Sequence, residues 1–368
     1  MPGAPASGGD LPSQRRRGYL DWLRGIAVLI MIEAHLFDSW TASPDRDSEA
    51  FGWAIVVGGL GAPLFLFLAG VAVPMSAGSK LRRHGDTGSA SRAVARRGLE
   101  IFGLAFLFRI QAWILGRSSP RALLKVDILN IMGPSIMAAA ALWRLAKTDR
   151  GRCAVFVSAT LGLAMLTPVL RNAAFIVALP EPVEAYFRPV PGMTNFVFLP
   201  WAGFVFAGAV AGVLVDAAGT RDQERRLNTG FALGGAAVAL IAFTLSYLPS
   251  PYASSYFWTT SPSFFFLRAG LMVAGIGAAY AWESRPGGTE KWSPLRQLGR
   301  TSLFIYWIHV EMIYGLISAP LHRSLTLGQA GIAFVAFALL MLVCSIAKDQ
   351  AFMFWQSRRL GRTLNLEP

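Results

Sequence analysis

The sequence predicts an all-α fold: a polytopic integral membrane bundle of about ten transmembrane helices, with both termini in the cytoplasm. Three observations carry this reading. Hydrophobic residues fill 54% of the 368 positions and charged residues only 15%, whereas roughly a quarter of a soluble domain is charged. The apolar residues fall in runs of about 20, the length that crosses a hydrocarbon core. The basic residues crowd into alternate connections: of 34 Lys and Arg, the N-terminus and the segments 80–97, 144–152, 221–226, 285–300 and 348–362 hold 24, and the opposite connections 7. The positive-inside rule places the crowded side in the cytoplasm. The net charge of +13 is thereby a topology signal, so the expected partner is a lipid bilayer and not nucleic acid.

In chain order, 1–17 is a cytoplasmic tail rich in Gly, Pro and Ser that ends in Arg15, Arg16 and Arg17. The first span, 18–40, is too long and too polar for a cleaved signal peptide, and it is read as retained. Further spans are expected at 51–76, 96–116, 123–146, 153–172, 194–215, 228–248, 263–283, 299–319 and 327–347. The even count returns both termini to one side. Leu179–Met193, with four prolines, cannot continue a helix; it is an external loop that borders a cavity or a rigid connector. Leu248–Pro262 is a second such connection, rich in aromatic residues suited to a membrane interface. Glycines such as Gly58, Gly59, Gly61 and Gly70 allow close helix approach. No polar stretch is long enough to fold by itself, so 18–355 is read as one transmembrane domain and 356–368 as a cytoplasmic tail. Cys153 and Cys344 fall in different spans without metal-ligand spacing, so neither a disulfide nor a metal site is expected.

The first span carries Asp21, Arg24, Glu33, His35 and Asp38. Ionisable groups are costly in a bilayer and usually have partners or a function. Arg24 and His35 are eleven residues apart, on nearly one face and about 16 Å apart along a helix. By the expected orientation, His35 and Asp38 lie near the outer face with Arg109, Asp127, Asn130, Arg268 and His309. This convergence of acids, bases and cations marks a functional cavity, where catalysis or ion coupling becomes possible. Asp38, about one turn from His35, could orient the imidazole. At the opposite face, Arg24, Arg96 and Arg97 suit the phosphates of a donor such as an acyl-CoA, although the same arginines also serve as topology determinants. No Walker, GxGxxG or GxSxG motif lies in a suitable strand-to-helix context, which leaves ATP-driven pumping and serine-hydrolase chemistry without support.

Five stretches, LDWLRGIAVLIMIEAH, APLFLFLAGVAV, KVDILNIMGPSIM, FLPWAGFVFAGAVAGVL and LGRTSLFIYWIHVEM, together resemble the bacterial relatives of the heparan-α-glucosaminide N-acetyltransferase catalytic domain, within the transmembrane acyltransferase superfamily. The resemblance implies transfer of an acyl group, commonly acetyl, from cytoplasmic acetyl-CoA to an extracytoplasmic acceptor, commonly a sugar or envelope glycan. It also implies a multi-pass location in the cell membrane and a central histidine. His35 matches that histidine and Arg24 the arginine of the LRG motif. On this reading His35 is a general base or, alternatively, the acyl carrier. Asp38 or Asp127 orients it, and Arg109 and Arg268 bind the acceptor or stabilise charge together with Asn130 and His309; Arg24, Arg96 and Arg97 hold the donor. No metal is required, and an oligomer is compatible with the sequence. A proton-coupled secondary transporter or flippase is the rival reading, because intramembrane Asp, Arg and His serve transport equally well.

Overall fold

The computed structural model describes residues 17–116, 119–285 and 292–364. The tail expected over 1–17 lies outside the described residues except for Arg17, as does the C-terminal tail beyond Leu364. The helices, in order, are α1 (Gly18–Trp40), α2 (Glu49–Gly58), α3 (Gly61–His84), α4 (Thr87–Gly116), α5 (Ile128–Leu145), α6 (Asp149–Leu170), α7 (Ala174–Val177), α8 (Glu181–Glu184), α9 (Phe198–Ala217), α10 (Arg221–Leu245), α11 (Pro262–Glu283), α12 (Pro294–Arg300), α13 (Ser302–Tyr314) and α14 (Leu327–Leu364). Among the described residues there is no strand, only two isolated bridges, Thr41 with Leu325 and Val126 with Thr194. Seven helical segments are long and apolar enough to cross a membrane: 49–84, 128–145, 149–170, 198–217, 221–245, 262–283 and 327–357. The chain is a multi-pass helical membrane protein.

Two expected spans are interrupted. The run expected over 51–76 breaks into α2 and α3 at Gly59 and Leu60, where three glycines in four residues, Gly58, Gly59 and Gly61, weaken helix propagation. The exact length of that weak stretch matters less than its neighbour: Glu33 of α1 lies against it, because a Cβ added to Gly58 would stand 3.1 Å from the Glu33 Oε2. The run expected over 299–319 is in three pieces. Thr301 (φ −106°, ψ 15°) separates α12 from α13, and Gly315 (φ −79°, ψ 179°) ends α13. The 13 residues of α13 extend only about 20 Å, short of a hydrocarbon core of about 30 Å. α4 starts nine residues before the expected 96, because Asp86 caps it.

The chain forms two compact units. One takes in the chain up to Leu20 and Ala62–Thr289. Within it α10 packs on α11, α4 on α5 and α6 on α9. Bare glycine backbone brings α3 and α9 together: a Cβ on Gly70 would strike the Val205 carbonyl, and one on Gly208 the Phe67 carbonyl. Arg82 grips Asp216 through two bonds of 2.9 and 2.8 Å. Glu224 of α10 accepts from Arg17 (2.6 Å) and from the Tyr19 hydroxyl (3.0 Å), which fastens the start of α1.

The other unit takes in Asp21–Gly61 and Glu290–Pro368. α12 lies tightly on the start of α1, since a Cβ on Gly25 would meet the Leu295 carbonyl and one on Gly299 the Asp21 carbonyl. The Gln297 amide then reaches Ser345 Oγ (2.9 Å) and Asp349 (2.8 Å) of α14, with Thr301 Oγ1 2.6 Å from the same Ser345 hydroxyl. This buried polar knot joins α12, α13 and α14. At the far end of α1, the amide of Leu325 donates to Trp40 O (3.0 Å) and that of Ala42 to Leu325 O (2.7 Å).

Packing through backbone predicts that Gly208→Val lowers stability by about 1–3 kcal/mol, whereas Gly103→Ala, which would meet nothing within 4 Å, gains up to about 1 kcal/mol in helix propensity; unfolding midpoints in detergent compare the two. At the start of α4, the Ser89 hydroxyl (2.5 Å) and the amides of Ser89 (2.8 Å) and Gly88 (3.0 Å) donate to Asp86. Led by the Ser89 hydroxyl, these bonds push its carboxyl from 3.8 down to about 2. A depressed carboxyl stabilises the cap fully above its unfolded value and loses that contribution as pH falls through the folded one. Hydrogen exchange is therefore expected to show protected Gly88 and Ser89 amides that lose protection only as pH falls through about 2, and lost protection at pH 7 in Asp86→Ala.

Candidate functional site

The four buried positions of α13, Ile305, Tyr306, His309 and Ile313, recur at helical spacing and form one inward stripe. His309 is fully buried. Its Nδ1 lies 2.8 Å from the Ile305 carbonyl one turn back. A carbonyl oxygen can only accept, so Nδ1 carries the proton; in the neutral ring Nε2 is then an acceptor. That Nε2 lies 2.9 Å from Nδ1 of His35 on α1, and the rings are near parallel, 18° apart with centroids at 5.1 Å. His35 Nδ1 must therefore donate, which makes Nε2 its basic nitrogen. A backbone carbonyl thus sets, through one buried imidazole, the tautomer of a second that is only half-buried.

The two helices are held in this register at the end of α13. A helix leaves its last carbonyls without intrahelical partners, and four side-chain donors converge on Ile313 O. Ser39 (3.3 Å) and Trp40 Nε1 (3.0 Å) come from α1, Ser318 (2.8 Å) and His322 Nε2 (3.1 Å) from the turn after α13.

Asp38 is held by other groups. Arg46 donates to its backbone carbonyl (2.7 Å) and its carboxylate (3.1 Å), and the Tyr314 hydroxyl donates to the other carboxylate oxygen (3.1 Å). Tyr314 stands edge-on to the His35 ring, with centroids 5.6 Å apart, so Asp38 is linked to His35 through a tyrosine. The hydrogen bond seen to orient the imidazole is the one that its Nδ1 donates to His309. Arg24 of the same unit pairs with Asp21 at 2.9 Å.

The remaining sequence-selected residues belong to the first unit. Arg109 pairs with Asp127. Asp127 also caps α5: its Oδ1 accepts from the Ile128 amide (2.7 Å), while Asn130 Oδ1 accepts from the Asp127 amide (2.9 Å). Asn130 Nδ2 then donates to the Tyr186 hydroxyl (3.3 Å). Asp127 and Asn130 are thus reciprocal caps as well as polar groups. The proline-rich stretch after α6 packs here. The amide of Val126 donates to Met193 O (2.8 Å) and that of Asn195 to Val126 O (2.9 Å), beside a buried cluster of Val126, Ile131, Ala185 and Met193 that Trp201 covers.

Arg268 of α11 is 6% exposed. Its guanidinium carbon lies 4.1 Å from the Phe264 centroid, 5.1 Å from that of Phe204 and 5.3 Å from that of Trp201. Each such contact contributes about 0.5–2 kcal/mol, against a desolvation cost of several kcal/mol for a buried ion. Among the described residues its guanidinium forms no hydrogen bond or ion pair, and its Nε is buried without a partner. Arg96 and Arg97 are exposed on α4 and share Glu100, at 3.7 and 2.9 Å.

Sequence reasoning therefore singled out His35, His309, Arg109 and Asp127 one by one but did not join the two histidines, and it missed Tyr314, Arg46, Tyr186 and the aromatic cage. Aromatics in apolar runs carry no local mark of function; Arg46, a lone cation in the acidic stretch PDRDSE, was the one readable signal. Among the described residues no three His, Cys, Asp or Glu side chains are grouped to hold a metal ion.

The family model described as heparan-alpha-glucosaminide N-acetyltransferase, catalytic, matches residues 16–244. The match includes α1 with His35 and ends before Arg268 and His309. Comparison with curated proteins finds no match. The matched segment is well over half of the 368 residues, and the chain belongs to the heparan-alpha-glucosaminide N-acetyltransferase catalytic-domain family, a family of membrane acetyltransferases.

Proposed function

We propose that the protein moves an acetyl group from cytoplasmic acetyl-CoA to a hydroxyl or amine of an extracytoplasmic acceptor, a sugar or envelope glycan, with His35 as general base. The observation that carries this reading is the His35–His309 hydrogen bond, with His309 itself fixed by the Ile305 carbonyl. His35 Nε2 takes the proton of the acceptor O–H or N–H as that atom attacks the thioester carbonyl carbon. The tetrahedral intermediate collapses, the C–S bond breaks, and the imidazolium returns the proton to the leaving thiolate. During the step, the Nδ1–H of the imidazolium forms a charge-assisted bond to His309 Nε2, which is stronger than the bond in the resting pair. His309 is on this account a positioning residue. Arg96 and Arg97, exposed and adjacent, are offered to the donor's phosphates, as is Arg24 if Asp21 releases it. The charge bias along the sequence supports cytoplasmic termini and a location in the cell membrane.

The test is release of CoA and appearance of labelled glycan from radiolabelled acetyl-CoA. His35→Ala is expected to lose about 10²–10⁴-fold in rate, the usual contribution of a general base, while inserting and folding normally. Full activity in a folded His35→Ala protein would remove His35 from the mechanism; failure of the wild type to bind any acyl-CoA would favour a transporter.

His309→Ala is expected to cost about 10–100-fold in kcat with KM for acetyl-CoA unchanged, the scale on which losing the partner that orients a metal-bound histidine acts. His309→Gln, whose amide oxygen can accept the His35 Nδ1–H, should recover part of that loss. Equal loss in both variants, tracking the amount of folded protein, would make His309 structural.

A further inference from the structure

Arg268 is a buried cation of the first unit to which the acetyl-transfer step described above gives no part. It is 6% exposed, enclosed by Phe264, Phe204 and Trp201, and without an ion pair or hydrogen bond among the described residues, its Nε buried and unpartnered. Rings pressed on a guanidinium face attract the cation but leave its in-plane N–H donors unused. The neighbouring charges do not supply the missing anion. Trp201 connects the cage to the cluster around Val126, where Asp127 is already paired with Arg109 and Lys125 adds a further cation within range of both. Arg121 and Arg188 take up Glu181 and Glu184. This end of the unit carries more cation than anion.

We propose that Arg268 is a binding site for an oxoanion group, a carboxylate, phosphate or sulfate, held edge-on by the guanidinium donors while the rings fix its plane. A planar, permanently charged fork suits such a group better than an ammonium. The oxoanion belongs either to an acidic acceptor, such as a glycan bearing uronic acid, or to the phosphates of CoA; both present the same chemistry to the arginine. The choice between these two sources rests on the acetyl-transfer reading; the oxoanion site itself does not, because its test measures binding.

The experiment follows thermal unfolding of the full chain in a neutral detergent with glucuronate, with glucose as the uncharged control, and with CoA. In the wild type, an oxoanion is expected to raise the midpoint and glucose to leave it unchanged. Arg268→Met should weaken the responding anion at least tenfold while leaving the ligand-free midpoint equal or higher, since it removes a buried charge that lacks a counter-ion. Arg268→Lys should also bind at least tenfold more weakly, having lost the fork. A response to glucuronate assigns the anion to the acceptor, and a response to CoA alone assigns it to the donor. If Arg268→Met fails to fold or melts well below the wild type, if the anion response survives it, or if neither anion shifts the wild type, Arg268 is a structural cation and the proposal fails.

Discussion

The end of a helix in apolar surroundings is the constraint on which the second unit turns. α13 stops at Tyr314, and in a setting without water its last carbonyls must be met by protein donors. Ile313 O is met by Ser39 and Trp40 from one side and by Ser318 and His322 from the other. Two lone pairs shared among four donors make each bond weaker than a single ideal one. Together they tie the last turn of α1, the end of α13 and the following turn at one point. One turn back along each helix from that point stand His35 and His309. The register of the histidine pair is thus a consequence of how a short helix is terminated.

The same principle explains why this part of the chain is not one continuous span. Each interruption exposes backbone groups, and each is answered by a polar side chain that would be costly in an uninterrupted apolar helix. Thr301, at the junction of α12 and α13, bonds back to Gln297 O at 3.1 Å and to Ser345 across to α14. Ser318 and His322 answer the junction after α13. Buried polar groups of this kind specify one arrangement among several apolar ones, provided each has its partner.

Much of the fold was legible in the sequence because hydrophobic run length is a direct physical demand of the bilayer. The helices at 149–170, 262–283 and 198–217 fall within four residues of their expected boundaries. The interrupted runs were illegible for the same reason: hydropathy does not register a backbone break whose side chains remain apolar, as at Gly59–Leu60 or on either side of α13. His35 and His309 could be singled out as costly polar residues, but their bond could not, since they are 274 residues apart. Asp38 was a reasonable partner for His35 by helical spacing. Spacing fixes which residues share a face, however, not which donors claim a carboxylate, here Arg46 and Tyr314 on its two oxygens. The cage of Arg268 was equally hidden, because the rings that form it come from α9 and α11 and look like ordinary core.

The complete burial of His309 has one more consequence. Its Nδ1 is committed to a backbone oxygen and its Nε2 to His35, so this imidazole has no face on which to meet bulk water. Protons can enter or leave the couple only by way of His35. The pair therefore behaves as a closed cul-de-sac: His309 lends charge stabilisation to a reacting group through His35.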